Sequence, residues 1–353
     1  MRFIRKAQEI SGKDCVYANK PVDQNNQGVL FFYGTIQGKN GVFLHINKEN
    51  VRLRCIFCTN KLKMCSNCRI FAAEKKNKGK VMTFKGKKVL ITGGASGIGR
   101  IMGEMVLKKG SELLIIWDIS EENINATVDE LDVLGNILAE RVDVSDYEAV
   151  KTAYVRMADN VGHADVLINC AGVITGNKTF DQCTADEIER TMKINALAPM
   201  YVAQQVLPTM IARNSGHVCT IASAGGMLAN PRMAVYAASK WAAIGWSDSV
   251  RIELKEMKSR VRVTTIAPYY ITTGMFDGVR SKVFPLLKPR NAAAQIIRAV
   301  EQERGMKMLM PWIPFPHHFI RLLQGLLPTR VYDWLMGDVL GIYHTMDNFI
   351  GRK

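Results

Sequence analysis

The stretch Lys88-Val89-Leu90-Ile91-Thr92-Gly93-Gly94-Ala95-Ser96-Gly97-Ile98-Gly99-Arg100-Ile101-Met102-Gly103 runs from a short apolar segment through a cluster of glycines into residues with helical periodicity. Its opening reads as a buried parallel strand, because an unbroken apolar run suits a strand covered on both faces. Strand, glycine turn, helix is the arrangement that aims the first N–H groups of a helix at a phosphate. Glycines serve there because the turn is tight and the backbone must come close to its ligand. The spacing is G-x-x-x-G-x-G, so the motif takes its weight from what surrounds it.

Working outward, Leu113-Leu114-Ile115-Ile116-Trp117 reads as a second strand that ends at Asp118, 25 residues after Gly93. A carboxylate at that point accepts hydrogen bonds from an adenosine ribose and repels a 2′-phosphate. No Arg or Lys directly follows Asp118 or directly precedes Gly97, so the pattern favours NAD over NADP. The ordinary alternative is an Asp that caps the next helix. Two more strand ends follow: Arg141-Val142-Asp143-Val144, with Asp143 within reach of an adenine, and Val166-Leu167-Ile168, closing on Asn169-Cys170-Ala171-Gly172. Open parallel sheets bind ligands beyond the carboxyl ends of their strands, so these ends converge on one crevice. The expected fold class is α/β, a doubly wound parallel sheet of the Rossmann type.

Downstream, Ser223, Tyr236 and Lys240 stand at spacings that can meet in that crevice. Removing a hydroxyl proton as hydride leaves needs a base, and a tyrosine with pKa near 10 is a poor one at neutral pH. Lys240 lies four residues after Tyr236, on the same face of a helix, where an ammonium favours the phenolate. Ser223 follows the apolar strand Val218-Cys219-Thr220-Ile221 and can hold the substrate oxygen. Taken singly, each has an ordinary structural reading: a half-buried tyrosine, a solvated lysine, a serine in a turn.

Thr92-Gly93-x-x-x-Gly97-x-Gly99, Asn169-Cys170-Ala171-Gly172, Asn195, Ser223 and Tyr236-x-x-x-Lys240 together resemble the short-chain dehydrogenase/reductase family, from about Phe84 to the C-terminus. Trp117-Asp118, Thr273-Gly274-Met275-Phe276 and Leu340-Gly341-Ile342-Tyr343-His344-Thr345-Met346-Asp347 resemble its membrane- and lipid-droplet-associated branch of epidermal retinol dehydrogenases and 17β-hydroxysteroid dehydrogenases. The resemblance implies catalytic roles for Ser223, Tyr236 and Lys240, and a water held by Asn195 that passes the proton out. It implies a dinucleotide site built from Gly93, Ser96, Gly97, Ile98, Gly99, Asp118, Asp143, Val144, Asn169, Ala171, Gly172, Tyr236, Lys240, Pro268, Ile271 and Thr273. One departure stands out: the family's Pro-Gly after the sixth strand is here Pro268-Tyr269-Tyr270, whose two rings are candidate walls of the substrate side.

Charge divides the chain. Residues 1–88 hold 19 Lys and Arg against 5 Asp and Glu, a net of +14; the remaining 265 hold 28 against 27, leaving +1 of the total +15. The reading is a basic N-terminal extension over 1–83, a nucleotide-binding domain over 84–305 and an apolar C-terminal segment over 306–353. The extension offers no 18-residue apolar run and no cleavable signal pattern. Its Cys55-x-x-Cys58 and Cys65-x-x-Cys68 are weak zinc candidates, since only six residues separate the pairs, and no metal is assigned. Its lysines can attract an anionic membrane; nucleic acid is not among the favoured partners.

Residues 274–287 read as a glycine-containing lid over an apolar ligand. Beyond them, Phe319, Leu322, Leu323 and Leu326 form a helical apolar stripe, too short to span a bilayer and suited to lie in its interface. The activity expected is NAD-dependent oxidation of a hydrophobic alcohol, retinol or a 17β-hydroxysteroid. The expected setting is a homodimer on endoplasmic reticulum or lipid droplets, with the catalytic domain facing the cytosol. The alternative is a lipid-droplet scaffold with vestigial activity.

Overall fold

The computed structural model describes residues 29–36, 39–46 and 316–320 in backbone, and 82–310, apart from 176 and 283, and 321–351 in full. The chain divides into two compact units, Met1–Gly79 and Lys80–Lys353. In the first, β1 (Val29–Ile36) and β2 (Lys39–Ile46) pair antiparallel from Val29 opposite Ile46 to Ile36 opposite Lys39. The four cysteines of the two C-x-x-C pairs lie outside the described residues.

The second unit is built on seven parallel strands: β3 (Lys88–Thr92), β4 (Leu113–Asp118), β5 (Ile137–Arg141), β6 (Val166–Asn169), β7 (His217–Ile221), β8 (Arg262–Pro268) and β9 (Met306–Leu309). Their order is β5-β4-β3-β6-β7-β8-β9. The chain starts in the middle, winds to one edge, then crosses to the other, and the direction reverses between β3 and β6. That reversal opens the crevice in which such sheets bind ligands. Alternate side chains point to opposite faces: Val89 and Ile91 enter one apolar layer with Ile116 and Ile168, while Leu90 enters the other with Ile115 and Leu167. Both faces are covered by helices, which is why the strands read as unbroken apolar runs.

Polar residues end the strands and start the helices. Ser120 accepts from Asn123 N–H ahead of helix Glu121–Leu131, and Asp146 from Glu148 and Ala149 N–H ahead of Tyr147–Val161. Thr184 and Glu187 form a reciprocal capping box. Helix Gly97–Lys108 is different: Ser96 makes no capping bond through its side chain and no acidic residue stands in the first turn.

The C-terminal segment is not one separate element. Met306–Leu309, read above as the start of an apolar segment, is the edge strand β9, paired parallel to β8. Ile342 and Met346 belong to the apolar layer that also holds Tyr236 and Tyr270.

Candidate active site

A cavity of about 540 Å³ opens at the carboxyl ends of the strands. Of the residues read from the sequence, Gly93, Ser96, Gly97, Ile98 and Gly99 line it after β3, Asp118 after β4, and Asp143 and Val144 after β5. Ala171 and Gly172 follow β6, Ser223 follows β7, Tyr236 and Lys240 come from helix Ala234–Glu256, and Pro268, Ile271 and Thr273 follow β8. Asn169 and Asn195 do not line it. Asn169 is buried at the last register position of β6, opposite Thr92, and donates to Pro199 O at 3.3 Å.

The glycine turn lies where no side chain fits. Gly93 has φ +64°, and a Cβ on it would stand 2.8 Å from Ala171 Cα. A Cβ on Gly99 would stand 2.0 Å from the Gly93 carbonyl oxygen, so the helix begins directly against the turn. Asp118 locks the loop from the next strand: one carboxylate oxygen accepts from Ala95 N–H at 3.0 Å, the other from Ser120 N–H at 3.2 Å. Thr92, which opens the glycine motif, accepts from Cys170 N–H at 3.1 Å and Ala171 N–H at 3.3 Å, a role its spacing does not announce, and joins the ends of β3 and β6. A helix N-terminus with no acidic cap, beside a cradle a Cβ would fill, suits a dinucleotide pyrophosphate; the carboxylate at the next strand end suits a ribose.

Tyr236 is 4% exposed and Lys240 5%. The Lys240 ammonium stands 5.8 Å from the centre of the Tyr236 ring and donates to the Ile221 carbonyl at 3.1 Å. Burial pushes the Tyr236 phenol up to about 12, and a hydrogen bond from the Ser223 hydroxyl pulls against it. Burial pushes Lys240 down from 10.5 to about 8. The four-residue spacing of Tyr236 and Lys240 predicts that the ammonium dominates the phenol. In this pocket desolvation is the larger effect on both groups, because each loses its water before it gains a full partner. Cys170, also on the wall, is pushed up to about 12 by burial and stays a thiol.

Asn195 sits in a π turn, Lys193–Leu197, inserted between helices Ala185–Met192 and Ala198–Ala212. Its side chain is fully buried; Oδ1 accepts from Val173 N–H at 2.9 Å, and Nδ2 donates to Val173 O at 2.8 Å and Ser239 Oγ at 3.1 Å. Ser239 in turn donates to Tyr236 O at 2.7 Å. The side chain of Asn195 thus binds the loop after β6 to the helix that carries Tyr236.

The substrate side is aromatic. Tyr269 and Tyr270 both line the cavity, with ring centres 4.8 Å apart, and Phe276 stands edge-on to Tyr270 at 5.1 Å and to Tyr236 at 6.0 Å. Asn230 and Ile342 also reach the wall. Nothing local in the sequence marks Asn230; Ile342 lies in the quoted tail stretch Leu340–Asp347, and the fold is what brings it to the wall.

A family model described as short chain dehydrogenase matches residues 87–283. Epidermal retinol dehydrogenase 2 of Homo sapiens is 33% identical over 316 residues, 88% of this chain and 99% of that protein. Estradiol 17-beta-dehydrogenase 11 of Homo sapiens is 31% identical over 248 residues, 69% of this chain and 80% of its own length. A solved short chain dehydrogenase/reductase from Burkholderia phymatum in complex with NAD has the same fold, with a TM-score of 0.61 at 23% identity over 69% of this chain and 95% of that one. With its glycine cradle and its buried tyrosine and lysine, the chain belongs to the short-chain dehydrogenase family, in the branch whose members are named as retinol and oestradiol dehydrogenases.

Proposed function

We propose that this protein oxidises a hydrophobic alcohol, a retinoid or a 17β-hydroxysteroid, with NAD. The observation that carries the reading is the meeting of the Ser223 hydroxyl, the Tyr236 phenol and the Lys240 ammonium in one cavity, between the glycine cradle and an aromatic wall. Gly93, Gly97 and Gly99 would hold the pyrophosphate, Asp118 the adenosine ribose, Asp143 and Val144 the adenine, and Ile271 and Thr273 the nicotinamide end. NAD, when bound, supplies the hydride acceptor and a positive ring beside the phenol. With that positive ring and the Lys240 ammonium holding Tyr236 as the phenolate, the phenolate would take the proton of the alcohol, whose oxygen Ser223 holds. Asn195 is a positioning residue, acting through Ser239. The reading is tested by NADH formation with all-trans-retinol and with oestradiol, with NADP as the cofactor control. Tyr236→Phe is expected to lower turnover by about 10³-fold, the scale of a lost general base. Turnover unchanged by Tyr236→Phe, or no turnover on either alcohol, would remove the reading and favour the scaffold.

A lipid surface suits this substrate. No helix among the described residues is long and apolar enough to cross a membrane. Helices Pro316–Leu326 and Thr329–Trp334 instead leave Leu322, Leu326, Val331 and Trp334 exposed by 44–67%, beside Arg321 and Arg330. We take this face to lie on endoplasmic reticulum or lipid droplets, the catalytic unit on the cytosolic side, with the basic N-terminal extension adding charge attraction. Flotation with phosphatidylcholine–phosphatidylserine vesicles checks it: Leu326→Asp with Trp334→Asp should cut binding about tenfold or more and leave turnover of detergent-dissolved alcohol intact. Trp241 and Ile252, exposed on one face of helix Ala234–Glu256, support a homodimer through that helix.

A further inference from the structure

The hydroxyl of Tyr270 is the centre of a small polar cluster that the chemistry above does not use. Asn230 Nδ2 donates to it at 2.8 Å and to Thr345 Oγ1 at 3.0 Å. Thr345, 1% exposed, spends its own proton on the Ile342 carbonyl at 2.8 Å. The Tyr270 hydroxyl therefore donates to Thr345 Oγ1, at 2.9 Å, with Met233 Sδ as a longer acceptor at 3.5 Å, and every hydroxyl and amide proton of the three side chains has an acceptor. The three residues come from three segments: the loop between Ser223 and Tyr236, the turn after β8, and the C-terminal tail.

The tail is stitched to these loops at further points. Arg280 N–H donates to Thr345 O at 3.2 Å, Ile350 N–H to Asp277 O at 2.8 Å, and Arg232 pairs with Asp347 at 3.1 Å. Ile342, one turn before Thr345, is itself on the cavity wall. On its other side the Tyr270 ring meets Phe276, whose ring meets Tyr236. One side chain thus joins the tail that closes the cavity to the ring beside the phenol.

We propose that Tyr270, with Asn230 and Thr345, is a positioning latch: its hydroxyl holds the tail Ile342–Phe349 as the far wall of the alcohol site, and its ring sets Phe276 against Tyr236. The proposal rests on the oxidation reading for its kinetic consequences. Two functions on one side chain separate two kinetic effects. Tyr270→Phe keeps the ring and removes the hydroxyl, so the tail loosens while Phe276 keeps its neighbour. The KM for the alcohol should rise about tenfold, the scale of one or two lost hydrogen bonds, with kcat within about twofold and the KM for NAD unchanged. Thr345→Val should do the same, and the double variant should be no worse than either single one, because both break one network. Phe276→Leu should instead lower kcat. A residue that only supported folding would reduce the active fraction and leave KM at its original value.

The test is steady-state kinetics of the full chain with all-trans-retinol and oestradiol, together with hydrogen exchange over residues 277–281 and 345–350. Exchange there should speed up about tenfold in Tyr270→Phe and in Thr345→Val. An unchanged alcohol KM in both variants, additive effects in the double variant, or unchanged exchange would overturn the latch. If the original chain oxidises neither alcohol, the oxidation reading falls separately, and exchange alone decides: faster exchange upholds the latch, unchanged exchange removes it.

Discussion

Replacing Lys240 by methionine is expected to abolish turnover and to make the domain more stable. The two effects have one cause. Lys240 is 95% covered, and among the described residues the Ile221 carbonyl is the hydrogen-bond acceptor its ammonium finds, so the fold holds a cation it solvates poorly. Burial lowers Lys240 from 10.5 to about 8. At neutral pH that difference corresponds to about 3 kcal/mol of destabilisation. Methionine has a similar length and no charge, and it leaves the Ile221 carbonyl short of a partner at about 1 kcal/mol. The net gain is about 2 kcal/mol, or roughly 5 °C in Tm for a unit of this size. Turnover should fall by about 10³-fold, because the phenolate formed at Tyr236 loses its nearest cation.

The pH dependence separates this account from a packing effect. Between about pH 8 and 10.5 the unfolded chain holds a proton on Lys240 that the folded chain does not. The contribution of Lys240 to stability therefore rises with pH across that window and is lost as pH falls through 8. Tyr236 runs the other way: with its phenol raised to about 12, its contribution is full below pH 10 and is lost as pH rises through 12. The advantage of the methionine variant in urea denaturation should be largest at pH 7 and nearly gone at pH 10. An equal advantage at both would mean that cation burial is not its source.

The legible parts of the molecule were those coded over short stretches. The glycine turn, the apolar strands and Asp118 lie within one strand–turn–helix–strand unit, where spacing and geometry are nearly the same thing. Tyr236 and Lys240 share a helix face by simple periodicity. What escaped depends on distance or on a break in periodicity. Asn230 and Thr345 are 115 residues apart, and neither is unusual in its own surroundings. The π turn at Lys193–Leu197 shifts the helix register, which helical spacing does not foresee, and it turns the Asn195 side chain onto Val173 and Ser239. Met306–Leu309 is a four-residue strand, too short to distinguish by pattern from the apolar segment beyond it. The hairpin Val29–Ile46 did leave a signal, two runs rich in β-branched and aromatic residues, masked by the charge around it. Desolvation at Tyr236 and Lys240 was illegible for another reason: sequence reports which charges are neighbours, and not how much water each has lost.

Gly99→Ala should have the opposite character, a small change with a large cost. Alanine is the better helix former by about 1 kcal/mol, and on propensity alone the variant would be more stable. The contact reverses the sign. The new methyl would stand 2.0 Å from the Gly93 carbonyl oxygen and 2.9 Å from its carbon. These are backbone atoms of a turn tied down by three bonds, Ala95 N–H to Asp118 and the Cys170 and Ala171 N–H groups to Thr92, so no side chain can swing away to make room. Relief requires moving the helix Gly97–Lys108 off the turn, which disturbs its packing on the sheet and withdraws its N-terminus from the cavity. The expected loss is roughly 3–5 kcal/mol of stability, with NAD affinity down by at least about 100-fold. Gly103→Ala supplies the comparison within the same helix. Its methyl would meet Leu114 Cδ2 at 3.0 Å, the tip of a side chain that can give, and the propensity gain offsets much of that crowding. Gly103→Ala should stay within about 1 kcal/mol of the original chain and bind NAD normally. Denaturation and NAD titration of the two variants side by side read both effects. Similar behaviour of the pair would mean that the helix does not start against the turn, and that the cradle for the pyrophosphate is looser than its geometry requires.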